Sequence, residues 1–398
     1  MIQSRMGTSK TYIVILNYNN GPATIECLES LLNLEGDSFK IVVCDNGSED
    51  NSLNTIRQWA EGQSIQPTPD KIIPNANDRK ISKPIKYLNV DPNSICNNLN
   101  PGNISERLIL IDNKKNLGFS GGNNIGIRFS LLDRSAQYIW ILNNDTIADR
   151  LALVNLIKKM ESNPNIGASG NTIIYYHDPE RIQALGGFKF NKFLGLSRQI
   201  GHLKKSNTLS LSESDVRKVE KSMFGIQGAS IFVRRSFLNT VGLLPDDYFL
   251  YFEEEDWAMR STGQFQLGYA PDSVVYHKEG KTTGSNSLKG TTKSLSSEFY
   301  LTMSRLIFTQ KYFPLYLPGI CFSHFMIATK RFLHGHWRNS LIVLISTFFF
   351  ITSGKQRSQV RNDVGSFRHF TEQVLHTPLL NLIGKRLFVG THQTSEPP

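Results

Sequence analysis

Four short apolar runs, each stopping abruptly on asparagine or aspartate, constrain this chain more than any other feature. Residues 12–16 (YIVIL) end at Asn17 and Asn19, and residues 39–44 (FKIVVC) end at Asp45 and Asn46. Residues 107–112 (RLILID) end at Asn113, and residues 138–142 (YIWIL) end at Asn143, Asn144 and Asp145. Helical spacing separates the runs: Ile25, Leu28, Leu31 and Leu32 mark a helix over 23–34, and a second is expected over 52–60. Strand–helix–strand alternation of this kind predicts a parallel sheet covered by helices. Ligands of such open sheets bind beyond the carboxyl ends of the strands. Any one of these polar tips suits a plain turn or helix cap. Four together predict one shared polar edge.

The stretch 116–126 (NLGFSGGNNIG) reads as a glycine-rich turn before a helix, a shape able to cradle phosphate. Its GxxGGxxxG spacing, after the third run rather than the first, is not a dinucleotide fingerprint. A helix over 151–160 follows, with further strands expected at 167–175, 229–233 and 273–276. Residues 62–105 are dense in Asn, Pro, Ser and Asp and show neither helical nor strand periodicity, so a surface excursion is expected there.

Charge is unevenly spread. The chain of 398 residues carries a formal net charge of +10, and from residue 300 onward 11 Lys and Arg face 3 acids. That last quarter is also aromatic and helical in pattern, with apolar blocks at 317–328 and 340–353. The second block holds 14 residues, short of the roughly 20 a spanning helix needs. Cations among aromatics suit an anionic membrane surface, or equally an ordinary basic helical face. Nucleic acid is not an expected partner, for no zinc motif, RNP-like strand or recognition helix accompanies the basic tail. The 4 cysteines include no CxxC pair, which fits neither a disulfide framework nor a zinc site. The opening MIQSRMGTSK lacks the apolar core of a signal peptide, so a cytoplasmic protein is expected.

The motifs VILNYNN, VVCDNGSED, NLGFSGGNNIG, WILNNDT, IQGASIFVRR, FLYFEEEDWAMR and VVYHKEG follow one another in an order and spacing that resembles the inverting family 2 glycosyltransferases. The rhamnosyltransferase-like branch of bacterial surface-polysaccharide synthesis is the most similar. The resemblance covers about residues 11–310, with 62–105 as an insertion. It implies a GT-A fold: a Rossmann-like, mostly parallel α/β sheet flanked by helices over 1–297, then a basic, aromatic helical appendage over 298–398. The nucleotide half would be about 11–150 and the acceptor half about 151–297.

Roles follow from the same resemblance. Asn17, Asn19, Asp45, Asn116, Gly118, Asn123 and Asn144 would frame a dTDP- or UDP-linked sugar. WILNNDT lies where the family places its DxD-type motif, with Asn143 in the first acidic position. Asp145, joined by His277, would hold Mg²⁺ or Mn²⁺ against the diphosphate. Glu254 would be the base that deprotonates the acceptor hydroxyl, with Glu255 as a rival. Asp256 and Arg260 match positions that are structural or acceptor-facing, and Trp257, on the acceptor side, would stack on a sugar ring. The acid run Glu253–Asp256 would normally be a solvated face. Its aromatic neighbours Phe249, Tyr251, Phe252 and Trp257 predict raised carboxyl pKa values instead. The implied reaction moves a sugar, rhamnose first among candidates, to a saccharide or lipid-linked acceptor at the inner face of the membrane. The competing expectations are a UDP-sugar-dependent hexosyl- or galactofuranosyltransferase, and a non-catalytic nucleotide-sugar-binding protein on the same sheet.

Overall fold

A computed structural model describes residues 10–36, 38–63, 81–96, 101–207, 211–279 and 293–352. They form two compact units. The larger carries the sheet. Its elements run β1 (Lys10–Asn17), α1 (Gly21–Leu32), β2 (Phe39–Asp45), α2 (Ser52–Ala60), β3 (Tyr87–Val90), β4 (Leu108–Asp112), α3 (Gly118–Leu132) and β5 (Ala136–Asn143). They continue with β6 (Thr146–Ala148), α4 (Ala152–Glu161), β7 (Ile166–Tyr175), β8 (Asp178–Leu185), β9 (Gly187–Asn191) and β10 (Leu196–Gln199). The unit closes with α5 (Glu213–Ser222), β11 (Gly225–Ile226), β12 (Ser230–Arg234), α6 (Arg235–Val241), α7 (Glu253–Ser261) and β13 (Gln266–His277).

The main sheet is ordered β3-β4-β2-β1-β5-β12-β7-β13-β6, with β8 paired to β7. Its first five strands are parallel neighbours. β1 is buried on both faces, as a parallel strand between helical layers must be. Ile13 and Ile15 face Ile25, Leu28 and Leu31 of α1, while Tyr12 and Val14 face Ile127 and Phe129 of α3. The chain winds outward from β1 through β2 to β4 and then crosses to β5 on the other side of β1. The direction of winding therefore reverses between β1 and β5, the place where such sheets open a crevice.

Beyond β5 the sheet turns mixed. β12 runs antiparallel to β5 and β7, while β13 pairs parallel with β7 and antiparallel with β6. The hairpin strands β8 to β10 and the capped helix α5 lie outside the sequence expectation, because polar residues break the strand runs and α5 buries only Val219.

Two other expectations need correction. Part of 62–105 is ordered: β3 adds to the sheet edge in parallel register, Tyr87 opposite Leu108 and Val90 opposite Ile111. Lys40 of β2 donates to the carbonyls of Pro101 (3.0 Å) and Ile104, pinning the excursion to the sheet. The sequence hid this because β3 has four residues and only Val90 is buried. Residues 64–80 and 97–100 lie outside the described residues. The glycine-rich stretch, second, is not a loop. After Asn116, Leu117 and the turn at Gly118 (φ 74) it is the first half of α3, and Gly122 and Gly126 let helix and sheet approach. A Cβ on Gly122 would stand 2.4 Å from Leu16 Cδ1, and one on Gly126 2.6 Å from Val14 Cγ1.

The smaller unit is built on three helices, α8 (Leu295–Tyr312), α9 (Leu317–Leu333) and α10 (Trp337–Thr352), joined by residues 192–195 and 246–252. Phe249 stacks near Tyr300, and Phe252 near Phe308. Residues 353–398 lie outside the described residues. Among the described residues no helix is long and apolar enough to cross a membrane.

Candidate active site

Asn17 ends β1 and joins three elements. Its amide donates to Asp45 Oδ1 at the tip of β2 (2.6 Å) and to Ser48 Oγ (3.1 Å). Its carbonyl accepts from Thr24 Oγ1 of α1 (2.7 Å) and from Asn144 Nδ2 beyond β5 (3.3 Å). Asn144 also donates to Thr24 at 2.9 Å. Asn17 thus bridges the reversal point of the sheet. Asp45 accepts from Asn17 and from both the hydroxyl (2.7 Å) and the backbone N–H (3.0 Å) of Ser48. A carboxylate offers about four acceptor positions, so one position on Oδ2 is left over from these bonds. Asn19, exposed and left-handed (φ 50), closes the same turn by accepting from Glu49 N at 2.8 Å.

A second asparagine cluster lies at β2, β4 and the start of α3. Asn46 donates to Asn116 Oδ1 (2.8 Å) and to the Gly118 carbonyl (3.2 Å), and accepts from Leu117 N (3.1 Å) and Asn113 Nδ2 (3.4 Å). Gly118 N donates to Asn116 Oδ1 at 2.9 Å. Two amides that a phosphate cradle would have offered are therefore satisfied within the protein. Asn123 stands apart from this set. It is buried in α3, and its amide donates to the Phe119 carbonyl of the same helix (2.9 Å).

The acidic end of β5 meets a histidine. β13 pairs antiparallel with β6, His277 opposite Thr146, and Lys278 N donates to the Asp145 carbonyl (2.9 Å). This register sets His277 Nε2 3.1 Å from Asp145 Oδ1 and His277 Nδ1 2.8 Å from Gln183 Oε1 on β8. Burial alone would lower the pKa of His277, but the Asp145 carboxylate, with help from Glu279, carries it above its ordinary value. Lys278 pairs with Glu26 of α1 and lies 4.5 Å from the centre of the Tyr176 ring.

Do these residues suit a divalent cation? Among the described residues no three His, Cys, Asp or Glu side chains gather as a metal cage. The donor set is nevertheless suitable: one carboxylate oxygen and one imidazole nitrogen, both buried, 3.1 Å apart. Two neighbouring ligands on an octahedral cation with bonds of about 2.1 Å are roughly 3 Å apart. A cation held here would draw its remaining ligands from diphosphate oxygens and water.

The acidic helix reaches the same end of the sheet. Glu254 lies against Gly228, whose added Cβ would fall 1.7 Å from Glu254 Oε1. The next residue, Ala229, accepts from Asn143 N at 3.0 Å, two positions before Asp145. Glu254 also lines a cavity of about 20 Å³ with Ile231, Phe237, Trp257 and Leu267, enough for about one water. Burial pushes its carboxyl up to about 8, and the charge of Glu255 adds to the rise. Phe249 and Phe252 pack against Tyr300 and Phe308 of the smaller unit. Glu255 accepts from Ser197 Oγ at 2.5 Å.

Trp257 does not present a face to a sugar. It is 3% exposed, edge-on to Phe237, and its N–H donates to the Gly242 carbonyl (3.0 Å). Asp256 and Arg260 are structural in the same sense. Arg260 bonds Asp256 Oδ1 (2.8 Å) and the carbonyls of Val241 (2.6 Å) and Leu243 (2.8 Å), stapling α7 to the end of α6. Trp257 is expected on the acceptor side, and Asp256 and Arg260 in a structural or acceptor-facing role; the packing of all three holds α7 in place. An apolar helix face and an aromatic acceptor platform look alike in sequence. Sequence reasoning gave no role to Ser48 and Gly228, though both lie within quoted motifs, nor to Thr24 and Gln183, which lie outside them.

The family model for glycosyl transferase family 2 matches residues 12–83 and 93–239, more than half of the chain. The chain is 27% identical over 186 residues to the low-salt glycan biosynthesis hexosyltransferase Agl10 of Haloferax volcanii, a match over 46% of this chain and 55% of that protein. It thus spans about half the length of that curated relative. Among solved structures, the mannosyltransferase PcManGT of Pyrobaculum calidifontis, in complex with GDP-Man and Mn²⁺, is 12% identical. It aligns over 96% of this chain and 88% of its own, with a TM-score of 0.44. S. aureus TarS 1-349 aligns over 95% of this chain and 88% of its own, with 12% identity and a TM-score of 0.40.

Proposed function

Because the chain belongs to glycosyl transferase family 2, we propose that it transfers a hexosyl group, with inversion, from a nucleoside diphosphate-sugar to an acceptor hydroxyl. The observation that carries this reading is the convergence at one sheet edge of the Asn17–Asp45–Asn144 bridge, the Asp145–His277 pair and the Glu254 carboxyl. Asp45 receives a hydroxyl or N–H of the nucleoside on its remaining acceptor position. Asp145 and His277 hold Mg²⁺ or Mn²⁺, which when bound neutralises charge on the departing diphosphate.

Glu254, once ionised, takes the proton of the acceptor hydroxyl, and that oxygen attacks the anomeric carbon from the face opposite the diphosphate. The glycosidic bond to the diphosphate breaks in the same step, so configuration inverts. A carboxyl held near 8 by its surroundings is a stronger base, once ionised, than an ordinary glutamate. A binding protein without catalysis has no use for such a group.

The hexosyltransferase name of the Haloferax relative favours a hexose donor. Rhamnose from dTDP-rhamnose is the first to assay, with UDP-linked hexoses and galactofuranose beside it. The acceptor is a saccharide or a lipid-linked carrier of surface-polysaccharide synthesis, met at the inner face of the membrane, which the basic C-terminal helices suit.

The test is Glu254→Ala, assayed with a nucleotide-sugar panel and Mn²⁺. Transfer is expected to vanish while nucleotide binding stays near wild type. Retained transfer, or loss of binding with an intact fold, rejects the assignment.

A further inference from the structure

In the smaller unit α9 and α10 form a hairpin, closed by a tight turn at Gly335 (φ 80) and joined at mid-length by His324 Nδ1 and Thr347 Oγ1 at 2.8 Å. Each helix buries one face, Ile320 and Ala328 from α9 and Ile342, Val343 and Phe350 from α10. The opposite faces are apolar too. Phe322, Phe325 and Met326 on α9 are more than half exposed, and Trp337, Leu344 and Phe348 on α10 are 39 to 63% exposed. Their spacing of three, four or seven residues sets them in a stripe along each helix. Side chains of this size are seldom left in water in such number unless a partner covers them.

Charge selects the partner. Residues 293–352 contain six Lys and Arg and a single acid, Glu298, which is buried and paired with Arg331 at 3.0 Å. Exposed Lys330 and half-buried Arg338 flank the hairpin turn, where Arg338 lies over the ring of Trp337. A second copy would set these cations against their own kind. Residues 353–398 are no better matched, with six Lys and Arg against three acids. A surface of anionic phosphates over an apolar layer matches both the charge and the stripe. With 17 and 16 residues the helices are each about 25 Å long, too short for a core of about 30 Å. The hairpin therefore suits lying in the interface, where tryptophan and cations also prefer to sit.

We infer that the outward face of the α9–α10 hairpin docks on an anionic lipid surface, with Phe322, Phe325, Leu344 and Phe348 below the headgroups and Lys330 and Arg338 against lipid phosphates. This gives the membrane partner of the proposed function a definite surface, yet it rests on the smaller unit alone.

Full-length protein is sedimented with vesicles of phosphatidylcholine, and of phosphatidylcholine mixed two to one with phosphatidylglycerol. Binding to the anionic vesicles only, weakened by salt, is expected. Lys330→Gln with Arg338→Gln should reduce partitioning roughly 25-fold, about fivefold per cation, and Phe325→Ser with Phe348→Ser should abolish it. The charge variant removes no buried apolar side chain, so it decides the matter even if the serine variant misfolds. Equal binding to both vesicle types overturns the inference, as does no binding to either. A dimer by light scattering that the serine pair dissolves overturns it as well. Mn²⁺-dependent donor hydrolysis in vesicle-free buffer reports separately on the catalytic reading.

Discussion

Glu254→Gln removes a proton-binding group whose burial has two measurable consequences. Raising a glutamate from 4.5 to about 8 corresponds to at most roughly 5 kcal/mol, at 1.36 kcal/mol per tenfold change in proton affinity. The folded state keeps this proton while the unfolded chain has already released it. Stability from this group is therefore full below about 4.5 and is lost as pH rises toward about 8. Between about pH 5.5 and 7.5 the wild type should lose up to about 2.5 kcal/mol that the Gln variant retains. Urea midpoints at the two pH values, taken for both proteins, measure this.

Activity should run the opposite way. Because the base works only when ionised, kcat/KM should climb about tenfold per pH unit and level off near pH 8. Transfer by Glu254→Gln should fall by about 10²–10⁴. Glu255→Gln removes the neighbouring charge that adds to the rise, so its plateau should begin at lower pH with transfer retained. Parallel stability curves for wild type and Glu254→Gln would refute the burial argument. A plateau already reached near pH 5 would refute the base, and loss of transfer in Glu255→Gln would pass the role to the rival.

Three further substitutions test the packing around the site. Gly122→Ala puts a Cβ 2.4 Å from Leu16 and 2.9 Å from Asn46; it should cost about 1–3 kcal/mol, read as a lowered Tm, and weaken nucleotide binding. Trp257→Phe loses the bond to Gly242 and should destabilise by about 1–2 kcal/mol, with the acceptor KM unchanged, whereas a sugar-stacking indole would raise it. Gln183→Leu frees the His277 ring from its Nδ1 partner; Mn²⁺ affinity, followed by electron paramagnetic resonance, should fall about 10- to 100-fold with the circular dichroism spectrum unchanged.

Four of the five parallel strands were legible because β1, β2, β4 and β5 are buried on both faces and read as apolar runs. The convergence of Asn17, Asp45 and Asn144 was legible for the same reason, since strand ends in such a sheet have only one edge to reach. Strands β8 to β10 were not, because polar residues break the apolar run in β8 and β9 and β10 has no buried residue. The glycines of α3 misled for a physical reason. Glycine serves a tight turn and a close helix approach equally well, and only the neighbours of Gly122 and Gly126 show which demand applies here. Trp257 misled likewise, because whether an aromatic beside acids faces inward is settled by the distant partners Phe237 and Gly242. Gln183 lies 94 positions from His277, and no local pattern joins them.

Titration of Mn²⁺ by electron paramagnetic resonance, with saturating UDP or dTDP, tests the central claim most directly. Wild type should bind the ion more tightly when nucleotide is present. Asp145→Asn and His277→Ala, folded alike, should each weaken that binding at least about tenfold. If Asp145→Asn held the ion and the nucleotide as wild type does, the edge where these strands converge would not be a diphosphate site.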